Sequence, residues 1–399
     1  MKKIIIYFTI FIVLLLGIYL VSTSSPKENK SKEVKDFVEM RGVFLSYIEL
    51  QSLLKNKSKE EKEKSLDLVL KNMTDFKLNN LYIQVRPFAD AIYKSEIFKP
   101  SLVITNSEDD EIDLDILSYV IKKAHENKIL VHAWINPYRI RTNSDITSIS
   151  KNAAFYDWLD DNRNIEISDQ GIYFNPASME VRTLILNGVK EIVENYEVDG
   201  IIYDDYFYPS KTIDLLEYES YKSTDSEISI EQYRINNINL LIKETYQVVK
   251  DISKDVLFGI SPAGSITNNL ENEYLDVAYI LSKENYLDYI MPQLYYGFFN
   301  SSQPYVATLN TWNELITNNQ TKLYVALSAY KSGLEDSYAG AGKEEWKENS
   351  DILTKQIIIS RNQSKYQGFS LYRYDYLFDL KKENEVLAKE INNLKMIID

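Results

Sequence analysis

The segment Val198-Asp199-Gly200-Ile201-Ile202-Tyr203-Asp204-Asp205-Tyr206-Phe207-Tyr208-Pro209 is an apolar run that stops on two adjacent carboxylates flanked by aromatic rings. Packing gives no reason to hold both charges there, because a desolvated carboxylate costs free energy and a like charge beside it adds to the cost. Acid and base work does give a reason. One ionised carboxylate stabilises or attacks a cationic centre while a protonated one gives its proton to a leaving oxygen, which is what glycosidic cleavage requires. Asp204 is the candidate for the first role. Strand alternation puts it on the parity of Gly200 and Ile202, pointing inward and near Arg86, and if the strand continues that far Asp205 points to the opposite face, unless the chain has already turned. The proton donor is Asp205 or Asp90, the latter lying beyond Pro87 in a rim loop. The structural alternatives are an ion pair between Asp204 and Arg86 and a loop cap at Asp90.

Other chemistries fall away on residue counts. There is no cysteine, and the two histidines are His125 and His132. Thiol nucleophiles, Cys-ligated zinc, disulfides and His-rich metal clusters are therefore excluded, and no metal or cofactor is expected. No phosphate-binding glycine loop occurs, and Gly259-Ile260-Ser261-Pro262-Ala263-Gly264 lacks the spacing of a nucleophile elbow. With 45 basic against 59 acidic residues the formal charge is −14, so nucleic acid is not an expected partner. The chain is rich instead in flat amphipathic rings, with 31 tyrosines and 4 tryptophans. Trp134, Tyr206, Tyr208, Tyr295, Tyr330 and Tyr372 are candidates for stacking on pyranose faces, and His132, Asn136 and Gln293 for bonding sugar hydroxyls. Core packing is the competing role for each ring, and a satisfied interior histidine is the competing role for His132.

Eight strand-like runs rich in β-branched and aromatic residues position these groups: 41–47, 80–85, 130–135, 199–203, 256–261, 287–293, 322–328 and 368–372. Helical periodicity separates them at 59–76, 114–127, 179–196, 230–252, 308–317 and 343–361, with a last helix at 380–395. Such alternation predicts a parallel sheet, and eight units predict closure into a (β/α)8 TIM barrel over residues 40–399. Alternation in the second and third strands sets Tyr82, Gln84 and Arg86, and His132, Trp134 and Asn136, towards one rim. The sixth adds Gln293 and Tyr295, and the eighth adds Ser370, Tyr372 and Tyr374. Enlarged loops are expected after strands 3 and 4, at 138–178 and 206–229.

Lys2 and Lys3 precede an uncharged apolar run over residues 4–21, about 27 Å long as a helix at ~1.5 Å per residue. Residues 1–21 read as a signal-anchor or a cleaved signal peptide, and 22–39 as a polar linker. Either way the rest of the chain is expected outside the cytoplasm, membrane-anchored in one case and secreted in the other.

Seven segments carry a family resemblance: Arg41 to Leu45, Gln84 to Ala91, His132 to Arg139, Asp199 to Pro209, Ser261 to Gly264, Asp288 to Gln293 and Gly368 to Ser370. Together, in this order, the chain resembles the bacterial glycosyl-hydrolase-like family ten. The resemblance implies a (β/α)8 glycosidase fold and, for some members, cleavage of cell-wall glycan. More distantly, Asp199-Gly200 followed by Asp204 is similar to the fourth strand of other barrel glycosidases. It departs from the chitinase pattern at Ile202 and Tyr206, which removes the chitinase-type acid, and from the alpha-amylase-like pattern at Ile202. The sequence thus points to an extracytoplasmic glycoside hydrolase acting on peptidoglycan glycan strands or another polysaccharide. Its rival is a non-catalytic carbohydrate-binding protein on the same barrel.

Overall fold

The structure, a computed structural model, describes residues 38–223, 227–379 and 384–398. The expected anchor or signal segment, residues 1–21, lies outside them. Among the described residues no helix is long and apolar enough to cross a membrane.

Eight parallel strands close into a barrel: β1 (Met40–Leu45), β2 (Asn80–Arg86), β3 (Leu130–Ile135), β4 (Gly200–Tyr203), β5 (Leu257–Ile260), β6 (Tyr289–Ile290), β7 (Lys322–Ser328) and β8 (Tyr366–Tyr372). Each strand pairs with its neighbours in sequence, and closure comes from β1 against β8, with Met40 opposite Gly368. Outward side chains such as Leu81, Ile83, Val131, Ala133, Ile201 and Phe258 form the main core with the surrounding helices. In the helix Met179–Asn195 the buried positions Val181, Leu184, Ile185, Gly188, Val189 and Ile192 follow the 3.6-residue period and make one face, and Ser178 caps its start by accepting from the Val181 N–H.

A second apolar cluster fills the barrel itself: Phe44, Tyr82, Trp134, Ile202, Tyr289, Met291, Tyr324 and Ala326. Large rings fit inside because facing inward positions are glycine. A Cβ on Gly42 would sit 2.6 Å from Tyr82, one on Gly200 2.2 Å from His132, and one on Gly259 2.3 Å from Tyr289. The rings pack on one another in turn, with Tyr82 and His132 at 4.8 Å and Tyr289 and Tyr324 stacked at 4.7 Å between centroids.

Two departures from strict alternation bear on the site. The β2–β3 register runs Gln84 opposite Trp134 and then Arg86 opposite Ile135, so a bulge at Val85 inserts one residue. The bulge turns Arg86 out of the barrel. In the connection after β3, Arg139–Arg141, Gly171–Phe174 and Ile165–Ser168 build a three-stranded antiparallel sheet, and the connection after β4 carries the helix Leu215–Lys222. The helix expected over 343–361 is two pieces, Glu345–Glu348 and Ile352–Ser360, because Asn349 is extended and its side-chain amide caps the Glu345 carbonyl.

The glycine and ring complementarity is testable at the fourth strand. Gly200→Ala is expected to lower stability by about 1–3 kcal/mol through overpacking against His132, read as a fall in the denaturant midpoint. In the Gly200→Ala, His132→Ala double variant the two costs should fall short of additive. Strict additivity would show that the ring and the missing Cβ do not compete for one space.

Candidate active site

At the C-terminal ends of the strands the barrel opens into a cavity of about 300 Å³. Phe44, Trp134 and Ile202, the upper members of the interior cluster, line its apolar part. Its walls come from Asp204, Asp205 and Tyr206 after β4, Ser261 after β5, Gln293 and Tyr295 after β6, and Tyr372 of β8. Ser46, Tyr47 and Ile48 after β1, Gln84 of β2 and Arg139 after β3 complete the ring.

Asp204 is 4% exposed. Its Oδ2 accepts from Trp134 Nε1 at 3.1 Å and from Asn136 Nδ2 at 3.2 Å, while Oδ1 has the Tyr206 N–H at 3.5 Å. Burial is the first influence on its proton affinity, followed by the charge of Asp205, and together they lift its carboxyl to about 7; Arg139 and the Trp134 hydrogen bond pull the other way. Asp205 is also pushed up by burial, opposed by a hydrogen bond from Gln293. Gln293 is itself fixed, its Nε2 donating to the Ser261 carbonyl at 3.0 Å. With both carboxyls pushed up by burial and each disfavouring the other's charge, the pair suits a state in which one holds a proton while the other stays charged.

The chain beyond the pair is clamped at two points. Glu273 accepts from the Phe207 and Tyr208 N–H groups at 2.9 and 3.0 Å. The Tyr208 hydroxyl donates to Asp214 at 2.6 Å, and Arg234 grips the same buried carboxylate through Nε and Nη2, both at 2.8 Å. Tyr208 is thus a structural ring of the loop.

Of the residues singled out from sequence, the cavity gathers Asp204, Asp205, Trp134, Tyr206, Gln293, Tyr295 and Tyr372. Asn136 stands just behind, holding Asp204 and accepting from the Arg139 N–H at 3.1 Å. Tyr330 backs the wall, 5.9 Å from Tyr295 and 6.0 Å from Tyr372 between ring centroids.

Three expectations are corrected. Arg86 does not face the cavity: turned outward by the bulge, it is fully buried with its guanidinium 3.6 Å from the centre of the Phe98 ring. No ion pair joins it to Asp204, whose basic neighbour is Arg139. Asp90 is not a rim-loop group: it is buried in a two-stranded ladder with Lys99, away from the cavity lining. Burial lifts its carboxyl to about 6. His132 lies below the cavity, fully buried with Nδ1 3.0 Å from the Tyr289 hydroxyl, and burial lowers it to about 4, which keeps it neutral. It fills the barrel interior.

Sequence reasoning passed over Arg139, whose guanidinium lies 5.0 Å from the Phe88 ring, 5.1 Å from Tyr206 and 5.8 Å from Tyr47. It closes the run from His132 to Arg139, so it was within reach of the motif. Ser46 also lines the cavity. Its hydroxyl bonds the buried carboxyl of Glu49, which burial lifts to about 7 and which Arg373 approaches at 3.4 Å. Glu49 does not itself reach the cavity lining.

Glycosyl hydrolase-like 10 is the family that residues 39–339 match. Glycosyl hydrolase YngK of Bacillus subtilis (strain 168) is 30% identical over 297 residues, which cover 68% of this chain and 56% of that protein. Glycosyl hydrolase DigH of Escherichia coli (strain K12) is 28% identical over 330 residues, 75% of this chain and 73% of that one. The chain therefore spans little more than half of the first relative and about three quarters of the second. Among solved structures, the PgaB (BpsB) glycoside hydrolase domain from Bordetella bronchiseptica aligns with a TM-score of 0.54 at 11% identity, covering 89% of this chain and 99% of that one. Alpha-L-fucosidase isoenzyme 2 from Paenibacillus thiaminolyticus gives 0.54 at 12%, covering 90% of this chain and 49% of its own. At such identities the likeness is one of fold.

The raised carboxyl of Asp204 has a consequence for stability. A group that binds its proton more tightly folded than unfolded weakens the fold as pH rises from the unfolded pKa of about 4 through the folded value. Asp204→Asn removes that liability. It is expected to raise the melting temperature at pH 8 relative to wild type, by the equivalent of at least one pKa unit, about 1.4 kcal/mol, with the gain shrinking towards pH 4. Thermal melts across this range check it, and a loss of stability at pH 8 would contradict the assigned direction.

Proposed function

The chain belongs to the glycosyl hydrolase-like 10 family, and on that premise we propose that it is a glycoside hydrolase acting outside the cytoplasm on cell-wall glycan, the peptidoglycan glycan strand or another polysaccharide. The observation that carries the reading is the Asp204–Asp205 pair at the end of β4, inside a cavity lined by Phe44, Trp134, Tyr206, Tyr295 and Tyr372. Carboxylates held up by burial are suited to proton transfer near neutral pH, and the surrounding rings are suited to pyranose faces. The C-terminal end of the strands is where barrels of this kind build their sites.

In this reading the proton held on Asp204 passes to Asp205 when substrate binds, and Asp204 then carries the negative charge beside the anomeric centre as it becomes oxocarbenium-like. Trp134 and Asn136 fix the carboxylate, and Arg139 favours its charged form. Asp205 gives the proton to the leaving oxygen. Gln293 orients it, and Glu273 holds the following loop so that both carboxyls keep their aim. Tyr206, 53% exposed at the mouth, takes a sugar ring together with Tyr295 and Tyr372. The extracytoplasmic placement rests on Lys2, Lys3 and the apolar residues 4–21, as a membrane anchor or a removed signal.

Incubation with peptide-free peptidoglycan strands, chitin oligomers and plant glucans in parallel is expected to release shorter oligosaccharides from one of them. Asp204→Asn and Asp205→Asn should each lower kcat by roughly 10²–10⁴ with the fold intact by circular dichroism. The pH dependence of wild-type kcat should be bell-shaped, since one carboxyl must be ionised and the other protonated. Binding of a glycan with no product from any of the three would favour the carbohydrate-binding reading instead. For location, protease added to intact wall-less cells should digest the domain; protection would place it inside.

A further inference from the structure

Glycosidic cleavage with a nucleophile or base supplied by the protein needs that group across the anomeric carbon from the acid. Here both cavity carboxyls come from consecutive residues, whose Cα atoms are ~3.8 Å apart, so they enter from one wall. The facing wall is built by β8 and β1, which stand opposite β4 in the closed barrel. It presents Tyr372, Phe44 and Ser46 and, among the described residues, no carboxylate. We propose that the nucleophile is carried by the substrate: the carbonyl oxygen of a 2-acetamido group on the sugar at the cleavage point. The inference rests on the hydrolase reading above and restricts it to 2-acetamido-2-deoxy sugars.

Three features of the cavity fit that group. Asp204 spends Oδ2 on Trp134 and Asn136, whereas Oδ1 has only the long Tyr206 contact, leaving it free to accept the acetamido N–H. The apolar surface of Phe44, Trp134 and Ile202 lies beneath the pair and suits the acetamido methyl. Asp205, held by the hydrogen bond from Gln293, lines the cavity beside Asp204 and is free to serve as the proton donor.

In the first step the carbonyl oxygen forms a bond to C1 as the C1–O glycosidic bond breaks. The bonding pair goes to the leaving oxygen, which takes the proton of Asp205, while Asp204 stabilises the positive charge that gathers on the acetamido nitrogen of the cyclic intermediate. In the second step water adds to C1 and gives its proton to Asp205. The ring opens, the C1–O(carbonyl) pair returns to the amide, and water is the sole reactant consumed. Two displacements at C1 give retention of configuration. A water activated by Glu49 through Ser46 would instead give inversion, so the stereochemical outcome separates the two.

The test uses the full chain with aryl chitooligosaccharides bearing N-acetyl or N-trifluoroacetyl groups, and a thiazoline analogue of the cyclic intermediate. Fluorination weakens the carbonyl nucleophile, so kcat/KM is expected to fall by at least about tenfold. The first-formed product should be the retained anomer by NMR. The thiazoline should bind wild type, seen by calorimetry without turnover, and bind Asp204→Asn at least about tenfold more weakly. Asp205→Asn should keep thiazoline binding and still cleave dinitrophenyl glycosides, whose leaving group needs no proton. Equal rates for the two N-acyl substrates, an inverted product, or cleavage of 2-hydroxy glucans at comparable rate would overturn the inference and leave the hydrolase reading standing. Thiazoline binding without cleavage of any glycan would overturn the hydrolase reading, and the absence of both would overturn the two together.

Discussion

Two like charges on consecutive residues, taken out of water at the mouth of a ring-filled barrel, are the constraint to which the rest of this molecule answers. Left alone they would either repel or bind protons permanently. The structure does neither, because it surrounds Asp204 with an indole N–H and an amide, sets Arg139 within electrostatic reach, and gives Asp205 the amide of Gln293. Trp134, Asn136 and Arg139 come from the end of β3 and Gln293 from the end of β6, so both strands must be in place beside β4 before the pair can be held. The buried contacts of Glu273, Asp214 and Arg234 with the loop after β4 serve the same end at longer range. They fix the backbone from Tyr206 onwards, where a shift of an ångström would re-aim both carboxyls.

Much of this was legible from residue order alone. The eight strand runs and most helices show in the alternation of periods two and 3.6, and the abrupt stop of an apolar strand on Asp204-Asp205 marks the site without any coordinates. Parity correctly sends Tyr82, Gln84, His132, Trp134 and Asp204 inward. It fails at Arg86 because one inserted residue reverses every later side chain, and nothing in Gln84-Val85-Arg86 announces a bulge whose cause is the pairing with β3. Asp90 misleads for a related reason. Pro87 does end the strand, but the chain then makes a short ladder with Lys99 that buries the carboxyl. Depth along an inward-facing strand is also invisible in sequence, which is why His132 and Trp134, two residues apart with the same parity, end in the packed interior and in the cavity. Arg139 needs the fold of the β3 connection to bring it among Tyr47, Phe88 and Tyr206, so its type and motif position hint at a role that only the tertiary arrangement specifies.

The barrel interior reconciles stability with a polar mouth by layering. Below, glycines on β1, β4 and β5 admit the rings of Tyr82, His132 and Tyr289, and the lower barrel is filled. Above, Phe44, Ile202 and Trp134 are both the top of that packing and the lining of the cavity. The same residues therefore contribute to folding and shape the ligand space, while the loops after the strands set reach and access.

The outward turn of Arg86 has a consequence of a different kind. Its guanidinium lies on Phe98, and the helix Met179–Asn195 can pass over the two because position 188 is glycine: a Cβ there would fall 2.4 Å from Nη1 of Arg86 and 2.5 Å from Phe98. Positions 86, 98 and 188, distant in the chain, are therefore one packing unit. A lineage that trades the arginine for a smaller side chain frees the helix to accept alanine, and one that gains a side chain at 188 must give up the stacked pair, so the three are expected to drift together although none of them touches the cavity.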